Sequence, residues 1–346
     1  MERERDFTRS VWDDAILEGA KEATRLHDQL DLRNALERTP GSIDVFGTII
    51  KLDISLLFRP LDGLLGAYLT NPSTGIVVTS QRPLAIQRFT AAHELGHAYM
   101  KHQVSLDDSS ILQRAMVRQQ QFDYREVAAD SFGAMFLMPL WLMEVHASRQ
   151  HWNAEWMKRP VAAYQMALRL GTSYDATCRS LERNGIIERS ERDHLLEVQP
   201  RDIKRELLAG HELEDWYSDV WVLSEADEGT RIQGNPRDVF VLKLRERSGA
   251  GYLWNINELS EAGFAIIGDS RQIPPVTKQV GGTVDRIVTA RQPEGAEGQF
   301  GHVTVRQLKP WNEEEPAASR LSFTYELFGK EVGGFARAER HWAVAA

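Results

Sequence analysis

The 346-residue chain is long enough for roughly two or three domains, and its 42% hydrophobic and 26% charged residues are the balance of a folded chain, not a disordered one. A net charge of -9 excludes wholesale wrapping of nucleic acid, which needs a basic face, and leaves room only for a local basic patch. One cysteine, Cys178, cannot form an internal disulfide and reads as a small residue inside a helix. The charged start MERERDFTRSVWDD lacks a secretory h-region, and no later run reaches the roughly 18 apolar residues of a membrane span, so the expected setting is the cytoplasm without a membrane.

In chain order, Val11 to Leu36 carries apolar residues at helical spacing and predicts one amphipathic helix. The short apolar runs Val45 to Leu52, Leu65 to Leu69 and Gly75 to Thr79 predict strands. Pro83, near a first helical position, opens a helix expected to run to about His102, and a second strong helix is expected from Asp123 to Met138, stopped by Pro139. Val161 to Ile187 reads as helix, Gly-Thr turn, helix, with Gly185 as the cap. Beyond Pro200 the runs Val239 to Leu244, Phe264 to Ile267, Val303 to Leu308 and Leu321 to Leu327 predict an all-β region. The expected fold class is α+β, divided at 1–145, 146–200 (the helix-turn-helix-like segment) and 201–346.

The chemistry concentrates in His93-Glu94-Leu95-Gly96-His97, an HExxH on a predicted helix. Imidazoles four residues apart project from one helical face, one turn above the other, so both can reach one Zn²⁺. Glu94 falls beside them, placed to take the proton of an attacking water. A catalytic zinc usually takes three protein ligands, and the metzincin continuation is excluded because Met100 and Gln103 stand where its glycine and histidine belong. The next helix offers Glu126 as third ligand, with Asp130 one turn further on to accept a hydrogen bond from a ligand imidazole. Gly96, and Ala129 with Gly133, would let the two helices pack closely. His102, Tyr99, Tyr124 and Arg125 are the nearby candidates for oxyanion stabilisation.

RFTAAHELGHAYMKH (Arg88 to His102) followed by REVAADSFGAMFLMP (Arg125 to Pro139), with the lead-in TGIVVTSQRP (Thr74 to Pro83), resembles the ImmA/IrrE family of metallopeptidases over roughly residues 10 to 190. The resemblance implies a small zincin-like domain with His93, His97 and Glu126 on the metal and Glu94 as general base. It also implies that the strand Gly75, Ile76, Val77, Val78 and Thr79 is an edge along which an extended peptide lies. The substrate it implies is a helix-turn-helix repressor of stress-response or mobile-element genes.

Ser173 to Arg183 could be a recognition helix, with Arg169, Arg179, Arg183 and Arg189 as phosphate contacts, but Asp175, Glu182 and Glu188 stand among them. Structural support or substrate docking is the preferred reading over direct DNA binding. Further on, Gly251-Tyr252-Leu253-Trp254, Val280-Gly281-Gly282-Thr283 and Leu308-Lys309-Pro310-Trp311 are similar in order and spacing to the three loops of the chagasin-like, immunoglobulin-like β-sandwich. That resemblance implies a binding or sensor domain for a ligand or protein. Arg247-Ser248-Gly249-Ala250 replaces the expected NPTT of the first loop, which argues against cysteine-protease inhibition. Two readings compete: a zinc endopeptidase that cuts a regulatory protein, and a non-catalytic binding module whose zinc site is structural or vestigial. Glu94 favours the first, since a structural site needs no carboxylate beside an open position.

Overall fold

The computed structural model describes residues 2–71, 73–102, 105–108, 123–208, 210–211, 213, 215–272, 283–293, 295, 298–312 and 315–337, without the side chains of 2–9 and 105–108. Helix α1 (Glu2–Gln29) buries Ala15, Ala23 and Leu26. It stops where Asp31 adopts a left-handed conformation (φ 50°), which an aspartate tolerates better than most residues, and α2 (Leu32–Arg38) begins there. The single helix expected from Val11 to Leu36 is therefore two. The expected strand at Val45 to Leu52 is a helix, α3 (Val45–Lys51). Asp44 caps it by accepting from the Gly47 N–H at 3.0 Å, and Val45, Thr48 and Ile49 form the buried face. A short apolar run fits either structure; here the cap decides.

The first sheet contains β1 (Ser55–Arg59), β2 (Leu64–Leu69), β3 (Gly75–Thr79) and β4 (Ser105–Asp108), and takes a fifth strand, β13 (Gly334–Phe335), from far along the chain. Its order is β13-β1-β3-β2-β4. Strand β3 appears where expected but is not an edge: it pairs in parallel with β1 and antiparallel with β2 along its length. Gly75, Ile76, Val77 and Val78 thus have both sides of their backbone occupied, and Thr79 pairs with Arg59, so the strand is not an edge to which a peptide can add. The strands at the two margins are β4 and β13.

Helix α4 (Leu84–Tyr99) lies over β2 and β3, and α5 (Tyr124–Leu137) crosses α4, with α1 packed on its other side. The crossings rest on absent side chains. A Cβ on Gly96 would stand 3.1 Å from Phe132, and one on Gly133 would stand 3.2 Å from the His93 nitrogen. On the α1 side, a Cβ on Gly19 would overlap the Ala128 carbonyl oxygen and stand 2.8 Å from the Phe132 nitrogen. Gly19→Ala would gain about 1 kcal/mol of helix propensity, but overlap with backbone costs about 3 kcal/mol. A net loss of about 2 kcal/mol in denaturant unfolding is the expected result, and an unchanged midpoint would show that α1 does not seat on α5.

Helices α6 (Leu140–Arg149), α7 (Ala154–Met157), α8 (Pro160–Leu170), α9 (Tyr174–Arg183), α10 (Arg189–Glu197) and α11 (Pro200–Leu208) follow. The stretch Tyr124–Arg149 is long and apolar enough to cross a bilayer, yet it is broken at Met138-Pro139 and mostly buried in the protein. Helices α8 and α9 are the expected pair, joined through Gly171 in a left-handed conformation (φ 66°) and capped by Ser173, whose hydroxyl accepts from the Ala176 N–H at 3.2 Å. Cys178 is buried in α9, and burial pushes its thiol up to about 12.

The remaining strands are β5 (Val220–Leu223), β6 (Thr230–Gln233), β7 (Val239–Glu246), β8 (Leu253–Asn255), β9 (Ala265–Gln272), β10 (Val284–Arg291), β11 (Gln299–Leu308) and β12 (Ser319–Leu327), with a short helix α12 (Asn257–Glu261). They form two four-stranded sheets, β5-β7-β10-β9 and β6-β12-β11-β8. In β12, Leu321, Phe323, Tyr325 and Leu327 alternate inward, and Phe323 stacks on Phe240 of the other sheet at 6.2 Å, so both sheets share one core. Trp254 is buried in that core; Trp311 is exposed over Gly251. Residues 280–282 of the middle loop lie outside the described residues.

Candidate metal centre

Helix α4 carries His93, Glu94 and His97 on its buried face, and the Nε2 atoms of the two imidazoles stand 3.0 Å apart. Asp123 caps α5 by accepting from the Arg125 N–H at 2.9 Å, which puts Glu126 in the first turn. From there one Glu126 oxygen lies 3.6 Å from His93 Nε2 and the other 3.5 Å from His97 Nε2. The ligand atoms of the three residues lie within 4.8 Å of one another, and His93, His97 and Glu126 are the metal-capable trio found among the described residues. Two neutral nitrogens and one carboxylate are a donor set for a divalent transition ion, with room left for a fourth group.

Each imidazole is braced from behind. His93 Nδ1 lies 2.8 Å from Asp130 Oδ1, so the carboxylate holds the proton on Nδ1 and leaves the Nε2 lone pair facing the trio. His97 is held differently: its Nδ1 lies 2.9 Å from Nδ1 of His102. The cause is the end of α4. Lys101 turns left-handed (φ 58°), and the amides of Lys101 and His102 bond back to the carbonyls of Ala98 and His97, which folds His102 onto the helix it follows. For His97 Nε2 to present a lone pair, its Nδ1 must donate and His102 must accept, which requires a neutral His102; burial lowers that imidazole below the ordinary histidine range.

Glu94 is fully buried, and its carboxylate lies against β2 where Gly66 has no side chain: a Cβ there would come within 2.8 Å of Glu94 Oε1. The pairing of β2 with β4 shifts register between Leu64 and Gly66, a local irregularity beside the same carboxylate. Gly66 was not legible as a site residue, since a lone glycine in a strand signals close approach but not of what.

The other oxyanion candidates are engaged elsewhere. Tyr99 donates to Gln29 Oε1 at 3.1 Å, Tyr124 is bonded to Glu18, and Arg125 pairs with Asp123 at 3.0 Å. Arg169 is not available to a phosphate: it is buried against Asp227 at 2.8 Å. Arg179 is paired with Asp175 at 2.8 Å.

Two histidines one turn apart on one helix, and a carboxylate from the next, form a site that could hold a metal ion, the arrangement a metallopeptidase domain would need. In agreement, residues 51–182 match the family model described as the IrrE N-terminal-like domain, Peptidase M78, a stretch from the end of α3 into α9 that holds the whole trio. No curated protein matches the chain. Among solved structures, the cysteine protease inhibitor EhICP2 from Entamoeba histolytica is similar at 18% identity over 32% of this chain and 96% of that one, with a TM-score of 0.27, which defines no common fold.

Proposed function

We propose that the chain is a zinc-dependent endopeptidase that cuts a cytoplasmic regulatory protein, a helix-turn-helix repressor of stress-response or mobile-element genes. One observation carries the catalytic part: His93, His97 and Glu126 converge while Asp130 and His102 fix the imidazoles, and a buried Glu94 stands on the same helix. Burying a carboxylate is costly, and a metal site that only held the fold would gain nothing from it. The family match supports the peptidase reading; the repressor as substrate is what the sequence resemblance to the ImmA/IrrE family implies. The β-rich region is read as the module that senses a ligand or protein.

Zinc, when bound, supplies Lewis acidity that lowers the pKa of adjacent water towards about 7 and polarises a peptide carbonyl. Glu94 takes the proton of the attacking water as its oxygen bonds to the carbonyl carbon, then delivers that proton to the amine nitrogen as the C–N bond breaks. Asp130 and His102 keep both ring protons on Nδ1 throughout. The test is twofold: the zinc-loaded chain should cut a helix-turn-helix repressor of its own source at one site, and Glu126→Ala should weaken zinc more than about 100-fold. Undiminished zinc affinity in Glu126→Ala would place the third ligand elsewhere.

A further inference from the structure

The helix that carries the metal ligands is held at its other end by a side chain that the chemistry does not use. Gln87 is fully buried on α4. Its Nε2 donates to the Thr79 carbonyl at 3.0 Å and to the Glu331 carbonyl at 2.8 Å, while its Oε1 accepts from the Glu331 N–H at 2.8 Å. The amide therefore binds Glu331 on both backbone groups, as a neighbouring strand would, and ties it to the end of β3. A buried amide with both donors and its acceptor engaged is a fixed point, because losing any partner leaves a desolvated polar group.

What it grips is the link between the β-rich region and the first sheet. Beyond β12, Arg337 donates to the Gly329 carbonyl at 2.7 Å, packs over Phe328 at 5.3 Å and pairs with the buried Glu331 at 3.1 Å. The Glu331 carboxylate also accepts from the Arg337 N–H at 3.1 Å. This closed staple carries β13 onto β1 and sets Ala336, fully buried, into the core cluster to which α4 also contributes. The next residue of the helix makes a second tie: Arg88, 3% exposed, donates to Gln233 Oε1 of β6 at 2.8 Å. Two adjacent residues of the metal-binding helix thus bond to two separate parts of the β-rich region.

We propose that Gln87 is a positioning residue for the metal centre: through the 331–337 staple, the β-rich region sets the seat of α4 and hence the geometry of His93 and His97. The inference rests on the metal-site reading for its consequence, but the coupling itself is measurable without metal. Backbone hydrogen exchange on the full-length chain would compare wild type with Gln87→Met, which keeps length and loses all three bonds, and with Arg337→Ala, which opens the staple from its more exposed side and leaves the core intact. Exchange at Glu331 and Ala336 is expected to rise at least about tenfold in both, with α4 amides rising in step and those of β7 and β10 unchanged. In the Co²⁺-loaded protein the visible ligand-field bands should shift, and zinc should pass to a chelator several-fold faster. Faster exchange at 331–336 with α4 exchange, Co²⁺ bands and zinc release all as in wild type would overturn the proposal and leave the staple as a structural clip. If wild type binds neither ion, the metal-site reading fails, and α4 exchange still decides whether the coupling exists.

Discussion

Glu94→Gln is expected to stop cleavage while the protein keeps its metal and its fold. Glutamine has nearly the shape of glutamate and cannot accept a proton at neutral pH, and Glu94 is not among the three converging ligands. Loss of a general base lowers rates by about 10²- to 10⁴-fold, which takes cutting of the repressor below detection in an ordinary assay. Glutamine fills the same buried space beside Gly66, so the melting temperature should stay close to that of wild type. The measurements are zinc content, thermal unfolding and repressor cleavage on one preparation. Normal cleavage by Glu94→Gln would end the catalytic assignment; derepression by wild type without any cut would favour the binding-module reading.

Arg169→Ala should be the most destabilising single change outside the metal centre. The side chains of Arg169 and Asp227 are each 2% exposed and lie 2.8 Å apart, joining α8 to the turn after β5. The guanidinium also donates to the Val222 carbonyl at 2.9 Å, and Asp227 accepts from Gln150 at 2.7 Å and from the Ser224 N–H at 3.0 Å. Removing one partner strands a buried charge at a cost of about 3–5 kcal/mol, whereas replacing both costs far less. Denaturant unfolding of Arg169→Ala, Asp227→Asn and the double variant Arg169→Met/Asp227→Asn should show the double variant recovering most of the loss. A single-variant cost under about 1 kcal/mol would mean that water reaches the pair.

The residues that converge were readable because ligands to one ion would need their spacing: His93 and His97 one turn apart, Glu126 and Asp130 one turn apart, and glycines where the helices cross. Signals that depend on distant chain were not readable. That β3 is internal follows from its pairing with β1, whose five residues gave no alternation, and the margin beyond β1 comes from a two-residue β13 contributed by a distant part of the chain. His102 was read as an oxyanion candidate, and its contact with His97 Nδ1 was not legible because the left-handed residue that folds it back is Lys101, where a glycine would have announced the turn. Arg169 looked like a phosphate contact because its partner Asp227 lies beyond the helical segment, on the other side of the fold. Val45 to Leu52 misled for a local reason, since an apolar run has the same composition in either secondary structure.

The pairing of Leu57 with Phe335 also has a consequence in time. A ribosome adds about 5–20 residues per second, so on the order of tens of seconds separate the emergence of β1 from that of the strand that covers it. During that interval the metal-binding helix already exists, but its Gln87 has no Glu331 to hold and the margin of its sheet is open to pairing with other chains. A nascent chain that has not yet made residues 331–337 therefore carries His93, His97 and Glu126 without the segment that pairs with β1 and bonds to Gln87.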